Sequence, residues 1–328
     1  MYSRKKSGKG FSYRDENNSL VDKKTRKWIE SLIIPPAWKF VEISEDQKAK
    51  ILAVGRDEKN RKQYIYHPQF REAQNQKKFD RILEFAENLE HMRRVTGQHL
   101  RKRKMTQEKV LATMVRLLDT AYFRPGNDSY SKKNSTYGLT TIRSKHLKIE
   151  NDELIFSYVG KSHKKQERHV VDKKLANIVA ELDELPGYKI FKFYNENSEL
   201  VDVNSHHLNQ YIHEVMGEEF SAKDFRTWGG TMVAALALEE LGVSSIDDQK
   251  NLDKKIKDAV IKVSEILGNT PAVARSSYID PRIIEAYTEG KNMYYFKKEI
   301  EKLLKKAENL SKEEIGVLCI LKEKLKSN

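Results

Sequence analysis

Ala222-Lys223-Asp224-Phe225-Arg226-Thr227-Trp228 runs through Gly229-Gly230 into the apolar stretch Thr231–Leu241, so that an arginine opens an apolar helix. Helical patterns dominate on both sides of it. Leu175–Leu182, Ser205–Met216 and Asp248–Leu267 repeat apolar residues at helical spacing, and the tail offers Tyr294–Asn309 and Lys312–Lys326. Ser311 and Glu314 stand at capping-box spacing before the last of these. Upstream, Thr106 is set to cap a helix carrying Val110, Met114, Leu117, Leu118 and Ala121 on one face, and Arg124-Pro125-Gly126-Asn127 stops it. Between these helices a small antiparallel sheet is expected: Leu154–Val159, a charged turn over Gly160-Lys161-Ser162-His163-Lys164-Lys165, and a return through Arg168–Val171.

The N-terminal part reads differently. Residues 1–20 are basic and poorly patterned, which predicts a flexible arm. A short helix is expected over Asp22–Leu32, ended by Pro35-Pro36, then strands at Phe40–Ser44, Lys50–Arg56 and Lys62–His67. The polar run Arg56-Asp57-Glu58-Lys59-Asn60 suits a hairpin turn, and Phe79–Leu89 a helix. The expected fold class is therefore α+β: a small β-rich N-terminal domain over residues 21–95, then a larger, mainly α-helical domain over residues 96–328 with its own small antiparallel sheet.

Lys plus Arg number 61 against 48 Asp plus Glu, a net charge of +13, which points to a polyanionic partner, nucleic acid before an anionic membrane. A single cysteine, Cys319, excludes an internal disulfide, and no apolar run is long enough to span a bilayer. A soluble intracellular protein that binds DNA or RNA is the expectation. Gly160-Lys161-Ser162 resembles the end of a phosphate-binding P-loop, but Ile155 stands where that motif needs glycine and the segment leads into a strand. His206, His207 and His213 lack a carboxylate or cysteine to complete a metal set, and no Gly-x-Ser-x-Gly elbow occurs. No metal, nucleotide or other cofactor is expected.

Three stretches combine charge with unusual local chemistry: Phe123-Arg124-Pro125-Gly126-Asn127, Val159-Gly160-Lys161-Ser162, and the Ala222–Trp228 segment. A fourth follows, Leu267-Gly268-Asn269-Thr270-Pro271-Ala272-Val273-Ala274-Arg275-Ser276-Ser277-Tyr278-Ile279-Asp280-Pro281. Each is weak alone. In this order, Arg124, Lys161, Arg226, Asn269 and Tyr278 resemble the active-site pentad of the type IB DNA topoisomerases, most closely the short bacterial branch related to the poxvirus enzymes. The resemblance extends over Ile34-Pro35-Pro36-Ala37-Trp38, Gly55-Arg56-Asp57, Arg61-Lys62-Gln63-Tyr64-Ile65-Tyr66-His67 and Thr136-Tyr137-Gly138-Leu139-Thr140-Thr141. Poxvirus and nuclear members carry histidine where Asn269 stands; asparagine marks the bacterial branch.

The resemblance implies a monomeric enzyme acting on double-stranded DNA. Tyr278 would attack a phosphodiester and store its energy as a 3′-phosphotyrosine, so that resealing needs no ATP. Arg124 and Arg226 suit the non-bridging oxygens, since a guanidinium pairs bidentately with phosphate. Lys161, at a hairpin tip among other cations, suits protonation of the leaving 5′ oxygen. Asn269 can donate an amide hydrogen bond to a non-bridging oxygen. Arg61, Gln63, Tyr64 and Tyr66 are expected to face the DNA groove, with Gln63 able to read adenine, and Tyr130, Lys133, Lys223 and Arg275 to contact phosphates. Plainer readings stand beside these. Arg124 caps a helix C-terminus, Lys161 is a solvated loop charge, Tyr278 is a structural phenol with Tyr287 the nucleophile, and Tyr64 and Tyr66 only pack across strands. A tyrosine recombinase uses a similar set but presents His-x-x-Arg where this chain has Lys223-Asp224-Phe225-Arg226. A noncatalytic architectural protein would need the basic surface alone.

Overall fold

A computed structural model describes residues 1–58, 60–242 and 249–326, with the backbone but not the side chain of Tyr130. The chain forms two compact units, Met1–Phe79 and Asp80–Asn328.

The first unit is a five-stranded antiparallel sheet in the order β2-β1-β3-β4-β5, built from β1 (Tyr2–Ser7), β2 (Gly10–Arg14), β3 (Lys39–Ile43), β4 (Ile51–Arg56) and β5 (Lys62–Tyr66). Helix α1 (Lys23–Ser31), capped by Asp22, contributes Ile29 to a core with Tyr13, Ile34, Val41, Ile43 and Ala53. The first fourteen residues are therefore two paired strands and not the expected arm. Arg4 explains the change: its guanidinium donates to the carbonyls of Ile34, Pro35 and Trp38 at 3.1, 3.0 and 2.7 Å and lies 4.2 Å from the Phe11 ring centre. A basic residue that looks solvated in sequence is here spent on the backbone of the Pro35-Pro36 loop.

Helix α2 (Pro68–Glu87) starts eleven residues before the expected Phe79, because its first half is polar and exposed and leaves no apolar period to read. The larger unit continues with α3 (Leu89–His99), α4 (Gln107–Ala121), α5 (Asp128–Asn134), a sheet of β6 (Leu147–Glu150), β7 (Glu153–Val159) and β8 (Lys165–Val171), then α6 (Lys173–Asp183) and the hairpin β9 (Lys192–Tyr194) and β10 (Leu200–Asp202). Helices α7 (Ser205–Met216), α8 (Ala222–Glu240), α9 (Gln249–Leu267), α10 (Pro271–Ser277), α11 (Pro281–Thr288), α12 (Lys297–Leu304) and α13 (Lys312–Lys326) complete it. The fold is α+β, as expected. The start of the expected Asp248–Leu267 helix, Asp248 itself, lies outside the described residues.

Helix α4 runs through the centre of this unit, with Val110, Leu111, Met114, Val115, Leu117 and Leu118 all buried. Thr106 caps it as expected, and Ser311 and Glu314 form a reciprocal capping box on α13, with N–H···O distances of 2.9 and 3.2 Å. Helix α8 begins at Ala222, so the apolar stretch Thr231–Leu241 and the arginine before it share one helix that continues through Gly229 and Gly230. Both are sites of close approach: a Cβ on Gly229 would lie 2.4 Å from the Tyr122 ring, and one on Gly230 2.5 Å from the Tyr278 carbonyl oxygen. A second apolar cluster, Val233, Ala234, Val260, Val263, Leu267, Ala274 and Ile279, packs α8, α9 and α10 together around the segment that carries Tyr278.

Candidate active site

Tyr122, just past the end of α4, takes a left-handed conformation (φ 53°), which turns the chain sharply and aims Phe123-Arg124 back across the domain. Leu139 and Thr140 then donate to the carbonyls of Arg124 and Pro125, both at 2.8 Å. The Thr136–Thr141 motif thus serves as a brace beneath the arginine. Arg226 sits on the first turns of α8 and is only 2% exposed. It donates to the Tyr122 carbonyl, and at 2.8 Å to the Leu267 carbonyl, which ends α9. Arg124 donates to the Gly268 carbonyl at 3.3 Å and to Oδ1 of Asn269. Two guanidinium groups thereby fasten the α9–α10 turn.

Tyr278 follows α10, and its ring centre lies 5.1 Å from the Arg226 guanidinium carbon. Its backbone is held by Thr231, whose hydroxyl donates to the Tyr278 carbonyl at 3.4 Å and accepts from Asp280 N–H at 3.2 Å. Buried Asp280 caps α11 and pairs with Arg282 at 2.7 Å. Burial pushes the Tyr278 phenol up, but the charges and hydrogen bonding of Arg226 and Arg124 outweigh it, and the phenol is held below its ordinary value. Burial, then repulsion from Arg124, brings Arg226 down to about 10. The site is an excess of positive charge around one hydroxyl, an arrangement an incoming anion would relieve.

Two buried donors support that reading. Arg226 Nε and Asn269 Nδ2 have no hydrogen-bond partner among the described residues. Buried donors are ordinarily satisfied, so this pair is available to the oxygens of a ligand. Arg124, Arg226, Asn269 and Tyr278 thus come together. Lys161 does not join them directly: it is exposed at the tip of the β7–β8 hairpin, where Ser162 and His163 both adopt left-handed conformations (φ 62° and 56°). The hairpin is nonetheless tied to the site, since Lys164 donates to the Asn269 carbonyl at 2.8 Å.

Tyr287, the competing nucleophile, is buried, and its hydroxyl donates to the Gly242 carbonyl at 2.6 Å. Lys133 on α5, Lys223 on the first turn of α8 and Arg275 on α10 are all exposed; the side chain of Tyr130 lies outside the described residues. In the first unit Tyr64 and Tyr66 stack on one face of β5 with ring centres 5.8 Å apart, both more than a third exposed. Arg61 and Gln63 share Asp57 as a partner, at 2.6 and 3.0 Å. Sequence reasoning missed Arg168. It lies half-buried on β8, its charge acts on Arg226 and Tyr158, and its Nε has no partner among the described residues. With Lys164, Gln166, Gly268 and Asn269 it lines a cavity of about 280 Å³. Its position two residues from Gln166 on a strand gave no signal, because only tertiary folding brings β8 to the α9–α10 turn.

Residues 67–307 match the family described as eukaryotic DNA topoisomerase I, catalytic core, and residues 10–57 match the N-terminal domain of bacterial DNA topoisomerase IB. DNA topoisomerase 1B of Acanthamoeba polyphaga mimivirus is 28% identical over 299 residues, spanning 90% of this chain and 89% of the viral protein. DNA topoisomerase 1B of Vaccinia virus (strain Copenhagen) is 28% identical over 248 residues, 74% of each chain. DNA topoisomerase 1 of Mycosarcoma maydis is 24% identical over 189 residues, 52% of this chain but 18% of the fungal protein. The chain belongs to the DNA topoisomerase I family. Within it, the bacterial N-terminal domain and the viral relatives place it in type IB.

Proposed function

We propose that this enzyme relaxes supercoiled duplex DNA by a transient single-strand break, with Tyr278 as the nucleophile. The phenol loses its proton to solvent, its oxygen bonds the scissile phosphorus, and the bond to the 5′ oxygen breaks. That oxygen leaves with a proton from Lys161. The free strand swivels, and the 5′ hydroxyl attacks the 3′-phosphotyrosine to restore the phosphodiester and release Tyr278. The reaction exchanges one phosphodiester for another, so no ATP enters the balance. Charge gathering on the non-bridging oxygens is met by Arg124, Arg226 and the Asn269 amide; each such preorganised donor is worth on the order of 10²–10³ in rate. Because the cations are side chains, this reading requires no metal.

The observation that carries the reading is the pairing of a phenol held below its ordinary value by two arginines with two buried donors that have no partner among the described residues. Arg61, Gln63, Tyr64, Tyr66, Tyr130, Lys133, Lys223 and Arg275 are proposed to position the duplex, and binding should weaken steeply with salt. The enzyme is read as a monomer in the cytoplasm, on the nucleoid. Plasmid relaxation in EDTA without nucleotide tests the proposal. Both positive and negative supercoils should relax, and Tyr278→Phe should abolish cleavage and leave duplex affinity near wild type. A covalent DNA adduct persisting in Tyr278→Phe would refute the assignment.

A further inference from the structure

Gln166, the second residue of β8, lies between two glycines that are remote in sequence. A Cβ on Gly160 would fall 2.8 Å from its Cγ, and a Cβ on Gly268 would fall 2.3 Å from its Oε1. Only glycine at both positions lets this side chain lie where it does. Gly160 immediately precedes Lys161, and Gly268 immediately precedes Asn269. Gln166 therefore fills the space between the turn that carries the proposed acid and the turn that carries the proposed oxyanion donor.

The glutamine is itself held. Arg168 donates to its Oε1 at 2.9 Å, and its own amide donates to the Lys165 carbonyl at 3.0 Å. Arg168 is anchored on the Tyr158 hydroxyl, and the Tyr158 ring stacks on Phe123, next to Arg124, at 6.0 Å between centres. On the other side of the glutamine, Gly160 N–H donates to the Lys164 carbonyl at 2.8 Å, and the Lys164 ammonium donates to the Asn269 carbonyl at 2.8 Å. The hairpin tip thus meets the α9–α10 turn at two points, the Gln166 side chain and the Lys164 ammonium. The Lys161 side chain itself is exposed at the tip.

We propose that Gln166, clamped by Arg168, is a positioning residue that sets the Lys161 hairpin against the Gly268–Asn269 turn and so places the leaving-group acid at the scissile phosphate. The inference rests on the reading of Lys161 as that acid. A residue that acts only through proton delivery to the leaving oxygen becomes dispensable when the leaving atom needs no proton. A duplex whose scissile phosphate carries a bridging 5′ sulfur supplies that condition, because a thiolate leaves unprotonated.

Single-turnover cleavage is measured on 5′-oxygen and 5′-sulfur substrates for the wild type, Lys161→Ala, Gln166→Ala and Gly160→Ala, each checked for a native melting transition. Gly160→Ala is the independent route to the same end, since its methyl group displaces Gln166 without deleting it. Gln166→Ala and Gly160→Ala should each cleave the oxygen substrate roughly 10- to 100-fold more slowly, part of the 10²–10⁴ typical of general acid catalysis, and regain wild-type rates on the sulfur substrate. Rescue of Lys161→Ala by sulfur, together with equal slowing of both Gln166→Ala and Gly160→Ala on the two substrates, would overturn the positioning role and leave the acid assignment standing. Failure of sulfur to rescue Lys161→Ala would remove the acid assignment, and the inference with it.

Discussion

Replacing Gly230 with alanine would place a methyl carbon 2.5 Å from the Tyr278 carbonyl oxygen and 2.9 Å from the Tyr278 Cβ. Ordinary contact begins near 3.4 Å, so the two backbones must part by about 0.9 Å, and the segment that moves carries the proposed nucleophile. In an exposed helix the substitution stabilises by about 0.5–1 kcal/mol; here overpacking opposes that gain at a cost of about 1–3 kcal/mol. The net effect on stability is a modest loss. The effect on rate is larger, because a misplacement of about 1 Å at a reacting group can cost about 10²-fold. Gly97 in α3 supplies the control: nothing lies within 4 Å of its added Cβ, so Gly97→Ala should stabilise the fold and leave cleavage unchanged. Single-turnover cleavage of a duplex, thermal melting and duplex affinity, measured side by side, separate the two terms. Gly230→Ala cleaving at the wild-type rate would refute the claim that this glycine sets the nucleophile.

Two further outcomes follow from the electrostatics. Because Arg226 and Arg124 hold the Tyr278 phenol below its ordinary value against the opposing effect of burial, Arg226→Gln should move its ionisation to higher pH. Absorbance titration near 295 nm, taken as the difference from Tyr278→Phe, reads this directly, and an ionisation left in place would sink the account. Arg93 uses all five of its donors, on both oxygens of Asp119, both of Glu314 and the Asn309 carbonyl, at 2.6 to 2.9 Å. Arg93→Met leaves two buried carboxylates uncompensated and should cost about 3–5 kcal/mol in urea unfolding. Burial raises the Glu314 carboxyl, but Arg93 more than offsets it, so the group lies below its ordinary value in the folded state. The stabilisation it gives is present above the unfolded carboxyl value, about 4.3, and is lost as pH falls through the lower folded value. In Arg93→Met that acid-side loss should shrink; an unchanged acid slope would contradict it.

The parts legible in the sequence are those whose physics is local. Thr106 caps α4 and Ser311 with Glu314 caps α13 because three or four residues decide each. Arg124, Arg226, Asn269 and Tyr278 were singled out by motif, and the fold brings them together. Long-range burial was not legible. Residues 1–14 look like an arm because Tyr2, Phe11 and Tyr13 are sparse among lysines and arginines, and the sheet that accepts them is completed by β3 far downstream. Arg93, Gln166 and Arg168 read as ordinary solvated polar residues. Their partners lie up to 221 positions away, at Glu314 for Arg93, and no periodicity encodes such a pair. The close approaches at Gly229 and Gly230 were not legible either, since a sequence shows the missing side chain but not the ring and carbonyl that take its place.

Helical spacing explains why these pieces act together. Gly229 and Gly230 lie one turn after Arg226 on the same side of α8, since residues three and four apart share a face, and Thr231 follows directly. Arg226 and Gly229 hold Tyr122, the first by its carbonyl and the second by its ring; Gly230 and Thr231 receive the Tyr278 carbonyl. At about 1.5 Å of rise per residue, the arginine and the contact that fixes the tyrosine are separated by about 6 Å of rigid helix. The distance between cation and phenol is thus set by backbone hydrogen bonds within one helix and not by loops that can drift. The Lys161 hairpin has no such ruler, which is why the contacts of Gln166 and Lys164 with the α9–α10 turn matter: they are where the exposed lysine proposed as the acid is referred to the same rigid frame.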